Sequence, residues 1–178
     1  MSVDTVAERS GAITFQGGPL TLVGPELKAG DPAPDFVLTT KDLAPFTRDD
    51  ATGKGAHAVL LVVVPSLDTQ VCSIETQTFH RRLKELPAGT AAYIVSRDLP
   101  FAQQRWATAN EATELNYLSD YRERAFGAAY GVAIKELGLL ARAVFVIGTD
   151  GKIAYAEVVK EVTNEPDYDA VFAALAAL

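Results

Sequence analysis

The chain has 178 residues, of which 48% are hydrophobic, and this size and composition predict one globular domain, residues 1–178, with a sizeable core. Its 16 basic and 23 acidic residues give a net charge of −7 without a basic stripe, which argues against nucleic acid as a partner. The single cysteine excludes a disulfide within one chain and favours a reducing compartment.

No segment predicts a secretory or membrane role. Residues 1–11 are polar and lack the basic and apolar segments of a secretory signal. The longest strongly apolar stretch, residues 56–64, is too short to span a bilayer. We therefore expect a cytoplasmic protein with no membrane partner.

The beginning of the chain predicts short strands joined by turns. Residues 12–15 and 20–23 are β-prone, and Gln16-Gly17-Gly18-Pro19 between them supplies the turn of a hairpin. Residues 30–35 contain two prolines, which exclude a helix and favour an extended loop. A short strand is expected at residues 36–38.

The middle of the chain predicts alternating strands and helices. Residues 58–64 are a continuous run rich in valine and leucine, which fits a strand covered on both faces, and Pro65 ends it. A helix is predicted at residues 69–86. A strand at residues 91–96 and a helix at residues 100–107, which begins with a proline, follow.

The helix at residues 69–86 is predicted to be amphipathic. Val71, Ile74 and Phe79 fall at helical spacing and form its apolar side. Glu75 is placed among its polar residues.

The end of the chain predicts a second hairpin and a terminal helix, because Asp150-Gly151 is a strong turn signal between two alternating segments. The predicted elements are a strand at 117–118, a helix at 122–130, strands at 141–147 and 152–159, and a helix at 168–178. Strands separated by helices, followed by a hairpin, predict an α/β sandwich with a mixed central sheet, helices on both faces and an N-terminal β-hairpin.

Cys72 follows a buried strand, a proline and a polar loop, and lies near the start of the predicted helix. Helix N-termini have backbone N–H groups without intrahelical partners and a partial positive charge, which together stabilise a thiolate. The thiolate is the nucleophilic form of cysteine. The alternative is that Cys72 is a small buried apolar residue, as lone cysteines often are.

Two further residues are candidates for the same site. Thr69 lies one helical turn before Cys72, so its hydroxyl can cap the helix or project toward the sulfur. Arg142 interrupts an apolar strand and shares a face with Val144 by alternation. A guanidinium on a covered face is costly unless it is paired, and a thiolate is a suitable counter-charge. The alternative is an arginine at a strand end that reaches solvent.

The spacing Pro-x-x-x-Thr-x-x-Cys, formed by Pro65, Thr69 and Cys72, resembles the active-site signature of peroxiredoxins. The longer string from Pro65 to Cys72 resembles that of bacterial thiol peroxidases, the atypical two-cysteine subgroup. Further similar blocks extend from about residue 15 to the end of the chain: residues 15–17, 30–36, 98–103, 118–122, 127–132, 140–146 and 162–168. The resemblance therefore covers nearly the whole chain.

The resemblance implies a thioredoxin-like fold, an antioxidant peroxidase activity and a homodimer. It implies that Cys72 is the peroxidatic cysteine, that Thr69 positions the peroxide and that Pro65 shields the thiolate. Arg142 matches the arginine that neutralises the thiolate and binds peroxide oxygen. Hydrogen peroxide and alkyl or lipid hydroperoxides are the implied substrates.

The chain departs from this subgroup at position 107. Ala107 stands where the resemblance predicts a second, resolving cysteine, and the sequence has no other cysteine to replace it. After Cys72 is oxidised to a sulfenic acid, an external thiol such as thioredoxin must therefore attack it, and a second thiol must release the mixed disulfide. Whether Ala107 is natural or an engineered replacement stays open.

Two alternatives to a thiol-dependent peroxidase remain. The first is a peroxide sensor or redox relay, in which oxidised Cys72 passes its oxidation to a protein partner. The second is a structural module with an inert thiol. No cofactor or metal is predicted, since His57 and His80 have no partner at metal-ligand spacing.

Overall fold

The computed structural model describes residues 6–53 and 55–178, in which ten strands and five α-helices are present. The strands are β1 (Glu8–Phe15), β2 (Gly18–Val23), β3 (Val37–Thr39), β4 (Pro45–Thr47), β5 (Ala58–Val63), β6 (Thr90–Ser96), β7 (Asn116–Ser119), β8 (Ala133–Ile134), β9 (Ala143–Gly148) and β10 (Ile153–Val158). The helices are α1 (Arg48–Thr52), α2 (Gln70–Arg81), α3 (Pro100–Ala109), α4 (Ala125–Ala129) and α5 (Tyr168–Ala176).

The central sheet has seven strands in the order β10-β9-β5-β6-β7-β3-β4. The β5–β6 and β6–β7 pairs are parallel, whereas β9 lies antiparallel to both β5 and β10. The predicted mixed sheet and the predicted C-terminal hairpin are therefore confirmed. A second sheet of three strands has the order β1-β2-β8.

Both faces of the central sheet are covered, as the apolar run of β5 predicts. Val59, Leu61 and Val63 belong to one core cluster, and Leu60 and Val62 belong to the other. The first cluster includes residues of α1, α4 and the three-stranded sheet, and the second includes residues of α2, α3 and α5. This sandwich confirms the predicted fold class, because alternate residues of one strand enter two separate cores.

The N-terminal hairpin has a tighter turn than the sequence predicts. Gly18 and Pro19 belong to β2, and the loop consists of Gln16 and Gly17, both with positive φ (49° and 81°). A two-residue loop with two such φ values matches the right-handed twist of the strands it connects.

Two helices of the structure have boundaries that differ from the predicted ones. The helix predicted at residues 69–86 is α2 followed by a separate 3₁₀ helix, Leu83–Glu85, since Arg82 breaks the α-helical conformation (ψ 5°). The helix predicted at residues 122–130 is only α4, because Arg124 before it adopts a left-handed conformation (φ 54°). Strands β4 and β8 and helix α1 have no counterpart among the predicted elements.

Candidate active site

The loop that leads to Cys72 begins where β5 ends. Val64 and Pro65 are buried after β5, and the chain then turns into α2, with Thr69 in an extended conformation (φ −106°, ψ 149°) as the N-cap residue. Cys72 is the third residue of α2, and none of its surface is exposed. Its sulfur thus lies in the first helical turn, where the partial positive charge of the helix end favours an anion.

The hydroxyl of Thr69 makes neither of the contacts expected from its spacing alone. It does not cap α2 but donates to the carbonyl oxygen of Ser66 over 2.8 Å. Because a hydroxyl has a single proton and two lone pairs, this bond leaves the oxygen free to accept from another group. Thr69 therefore offers an acceptor at the start of α2.

Arg142 lies directly before β9 and is 2% exposed, so the solvent-reaching alternative is wrong. Its Nη2 lies 3.5 Å from Cys72 Sγ, and its Nε and Nη2 donate to the carbonyl oxygen of Val162 at 3.1 Å and 2.8 Å. The predicted pairing of the guanidinium with the cysteine is present in the geometry. Val144, on the same face of the adjoining strand, packs in the same core as Cys72.

Glu75 is the site residue that the sequence interpretation missed. The sequence places Glu75 on the polar side of α2, but its side chain is 0% exposed. Its Oε2 accepts from Arg142 Nη1. Ile74, predicted to be on the apolar side of α2, is exposed instead. The available signal was the spacing, since a residue three positions after Cys72 lies on the same helix face.

The environment of Glu75 is unusual for a carboxyl group. Burial raises the pKa of Glu75 to about 8, even though the Arg142 guanidinium lowers it. Its second oxygen, Oε1, is buried and has no hydrogen-bond partner among the described residues. The carboxyl group therefore depends on a single partner, Arg142.

Asp98 holds the loop that leads to Cys72. Its carboxylate accepts from Ser66 Oγ at 2.7 Å, from the Leu67 backbone N–H at 2.8 Å and from Ser96 Oγ at 2.9 Å. Gln103 on α3 also donates to Ser96 Oγ, at 3.0 Å. The loop is thus tied to the end of β6 and to α3.

An apolar cleft of about 350 Å³ lies beside the site. Pro65, Thr69 and Arg142 line it together with apolar side chains that include Phe15 and Leu137. Three of the four predicted site residues therefore share one cleft, and the fourth, Cys72, contacts Arg142 from the interior. Among the described residues, no group of three His, Cys, Asp or Glu side chains is placed to hold a metal ion.

The comparisons with known proteins agree with this geometry. The family model described as Redoxin matches residues 28–172. The chain belongs to the Redoxin family.

Similar proteins refine this assignment. Thiol peroxidase from Halalkalibacterium halodurans is 50% identical over 94% of this chain and 99% of its own length, and thiol peroxidase from Bacillus subtilis is 48% identical over 93% and 97%. The crystal structure of a peroxiredoxin-like protein from Aquifex aeolicus has a TM-score of 0.85 and 42% identity, and the match covers 97% of this chain and 98% of that one. The resemblance to bacterial thiol peroxidases and the thioredoxin-like fold are confirmed.

In this Redoxin chain, the position expected for a resolving cysteine is a buried alanine. Ala107 lies in α3 and is 1% exposed. It packs in the same core cluster as Cys72, whose thiol is free. A small apolar side chain therefore fills the place where the family resemblance predicts a second thiol.

Proposed function

We propose that this Redoxin chain is a thiol-dependent peroxidase that reduces hydrogen peroxide and organic hydroperoxides at Cys72. The contact between Arg142 Nη2 and Cys72 Sγ carries the proposal, because it places a buried cation 3.5 Å from the sulfur that attacks the peroxide. The thiol peroxidase names of the relatives support an enzyme rather than a sensor or relay.

The roles proposed for the four residues are those that the family resemblance implies, and their places in the site support them. Cys72 attacks the distal peroxide oxygen, so that an S–O bond forms and the O–O bond breaks. Arg142 binds the oxygen on which negative charge develops, since it already lines the cleft. Thr69 accepts from the peroxide O–H, and Pro65 shields the sulfur from water.

The apolar wall of the cleft supports organic hydroperoxides as substrates. Phe15 and Leu137 are both large and partly exposed, and they line the same cleft as Arg142. An alkyl tail on these side chains would remove apolar surface from water while the peroxide group faces Arg142.

The second half of the reaction needs thiols from outside the chain. A first external thiol attacks the sulfenic sulfur of Cys72 and releases water, giving a mixed disulfide. A second thiol then displaces Cys72 and leaves with the first as a disulfide. Thioredoxin or a similar protein as this reductant, a homodimer and a cytoplasmic location are parts of the same proposal and rest on the family resemblance and the acidic composition. One domain over residues 1–178 is also proposed, although residues 1–5 and 54 lie outside the described residues.

The reduction of oxidised Cys72 distinguishes a peroxidase from a redox relay. Protein oxidised with one equivalent of cumene hydroperoxide is mixed with dithiothreitol, glutathione or thioredoxin, and intact mass is followed with time. We expect the starting mass to return and, when further cumene hydroperoxide is added, turnover to continue while both peroxide and thiol remain. Oxidised protein that no general thiol or thioredoxin reduces would contradict the peroxidase and favour a relay with a dedicated partner.

A further inference from the structure

Arg142, Cys72 and Glu75 form a buried cluster of one cation and two acids. Glu75 and Cys72 are each 0% exposed, and Arg142 is 2% exposed. Arg142 contacts Glu75 through Nη1 and Cys72 through Nη2, so the two acids lie against different nitrogens of one guanidinium.

The charges of this cluster cannot all be balanced at once. The other acceptor of Arg142, the carbonyl oxygen of Val162, is neutral. If Cys72 and Glu75 were both ionised, the cluster would hold two negative charges against one positive charge, and an unpaired buried charge is costly. The state of lowest cost therefore has one ionised acid as the counter-ion of Arg142, while the other acid holds a proton.

Within residues 6–53 and 55–178, Glu75 forms an ion pair with Arg142 and with no second cation. Glu157 on β10 and Glu165 in the segment before α5 both raise the pKa of Glu75 by their negative charge, adding to the larger effect of burial. The phenol of Tyr168, at the start of α5, has its own pKa raised by burial and by its hydrogen bond to Glu165, with Glu75 adding to the effect. The negative charges of Glu157 and Glu165 therefore favour the proton on Glu75.

We propose that Glu75 is a positioning residue that holds a proton while Cys72 is a thiolate and releases it when Cys72 is oxidised. Arg142 then exchanges one counter-anion for the other: the thiolate in the reduced protein and the Glu75 carboxylate in the sulfenic form. This inference rests on the proposed peroxidase function and adds the fate of the proton.

This exchange of counter-anions supplies the proton that the first half-reaction needs, so no proton has to come from solvent. The thiolate sulfur takes the distal oxygen of the peroxide, which keeps its hydrogen, and is oxidised by two electrons to a neutral sulfenic acid. The peroxide is reduced to an alkoxide, which needs one proton to leave as the alcohol. Glu75 gives up one proton in the same step, so the cluster has the same net charge before and after.

Proton uptake during oxidation tests this exchange. Reduced protein and excess cumene hydroperoxide are mixed in weakly buffered solution near neutral pH with an indicator dye, and oxygen addition to Cys72 is counted by intact mass. We expect no net proton uptake in the wild-type protein. Glu75→Gln, which keeps the shape and the contact with Arg142 but cannot ionise, should take up one proton from solvent for each Cys72 oxidised.

Two controls separate this result from other causes. Glu123→Gln removes an exposed carboxyl group and should behave like the wild-type protein. Cys72→Ser should show neither oxygen addition nor proton uptake. Equal proton uptake by the wild-type protein and Glu75→Gln would overturn the exchange while leaving the peroxidase intact, whereas absence of oxygen addition to wild-type Cys72 would overturn both.

An equilibrium measurement keeps the proposal testable even if Glu75→Gln does not fold. The carbonyl infrared band of a protonated, buried carboxylic acid should be present in the reduced wild-type protein near neutral pH. It should disappear in Cys72→Ser, because Glu75 then becomes the sole counter-anion of Arg142 and ionises. A band of equal intensity in both proteins would overturn the coupling between Glu75 and Cys72.

Discussion

Arg142 is the residue through which the parts of the site are connected. Its planar guanidinium donates in three directions, to Val162, Glu75 and Cys72. Burial lowers the pKa of Arg142, but Glu75 and Cys72 more than offset this effect and raise it. A lysine ammonium has the charge without the fixed fork, so it cannot reach all three partners in this geometry.

Arg142→Lys should therefore slow the oxidation of Cys72 about 10- to 100-fold, since a hydrogen bond to a charged group contributes about 1.5–3 kcal/mol. Stopped-flow mixing with hydrogen peroxide measures the rate constant. Arg105→Lys, at an exposed arginine of α3, is the matched control and should react like the wild-type protein. A rate constant for Arg142→Lys within twofold of the wild-type value would contradict the role of the guanidinium.

Glu75→Gln should change how stability depends on pH. The pKa of Glu75 is raised from 4.5 to about 8 by burial, so between these values the folded protein holds a proton that the unfolded chain has lost. As the pH rises through this range, the wild-type free energy of unfolding should therefore fall relative to that of Glu75→Gln, by up to about 1.4 kcal/mol per pH unit. Above about pH 8, the free energies of unfolding of the two proteins should change in parallel. Urea denaturation of both reduced proteins across this window measures the difference. Curves that stay parallel from pH 5 to pH 8 would contradict the buried, protonated carboxyl group.

The candidate site could be predicted from the sequence only where a motif or a charge in an apolar run marked it. Cys72 and Arg142 have such signals, and the structure places them in contact. Glu75 has neither a motif nor an apolar run around it, and its spacing from Cys72 was outweighed because a glutamate on a helix is usually solvated and the apolar pattern of α2 suggested the wrong face. Its burial depends on Arg142, which is distant in sequence and comes close only through the fold.

At the scale of elements, the loop between β5 and α2 is fixed by contacts from β6 and α3. Asp98 follows β6 and binds Ser66 and Leu67, which lie just before α2. Because Cys72 is in the first turn of α2, the position of this loop sets the position of the sulfur. The contacts of Asp98 are therefore those of an anchor of this loop.

Asp98→Asn should loosen this loop while the protein stays folded. The amide keeps one acceptor oxygen but presents N–H groups, so the Leu67 N–H or the Ser66 hydroxyl loses its acceptor. We expect an approximately tenfold slower oxidation of Cys72 and faster hydrogen exchange at the Leu67 amide, in line with the loss of one charge-assisted hydrogen bond. Asp42→Asn, at an exposed aspartate, is the control. Unchanged exchange at Leu67 would contradict the anchoring role.

The elements that could be predicted were those with a strong local signal. The apolar run of β5 and the turn at Asp150-Gly151 each have a clear local cause. Strand β8 has only two residues and exists because Leu22 and Val23 of β2 pair with it. Such short elements depend on tertiary pairing, which no local pattern encodes.

At the scale of the whole molecule, the three-stranded sheet is joined to the main body by close backbone contacts. A Cβ atom at Gly131, where φ is +66°, would lie 1.7 Å from the carbonyl oxygen of Pro25. A Cβ atom at Gly24 would lie 2.0 Å from the carbonyl oxygen of Ala128. The segment after β2 therefore packs directly on the end of α4, and Phe15, at the tip of the hairpin, reaches the catalytic cleft.

Gly131→Ala should separate steric contact from backbone strain. Gly138 has the same φ of +66° with no atom within 4 Å of an added Cβ, so Gly138→Ala should cost only the strain of about 1–2 kcal/mol. Gly131→Ala should cost at least about 2 kcal/mol more, because a backbone carbonyl must move. Urea denaturation of both variants measures the difference. Equal losses of stability would contradict the close packing of this segment against α4.

The central claim is that Cys72 is a peroxide-reactive thiolate paired with Arg142. The most direct test is rapid mixing of the reduced protein with hydrogen peroxide, followed by quenching and intact mass. The account predicts fast addition of a single oxygen that is abolished in Cys72→Ser and strongly slowed in Arg142→Ala. Oxygen addition no faster than that of a free thiol such as glutathione, or equally fast in Arg142→Ala, would contradict it.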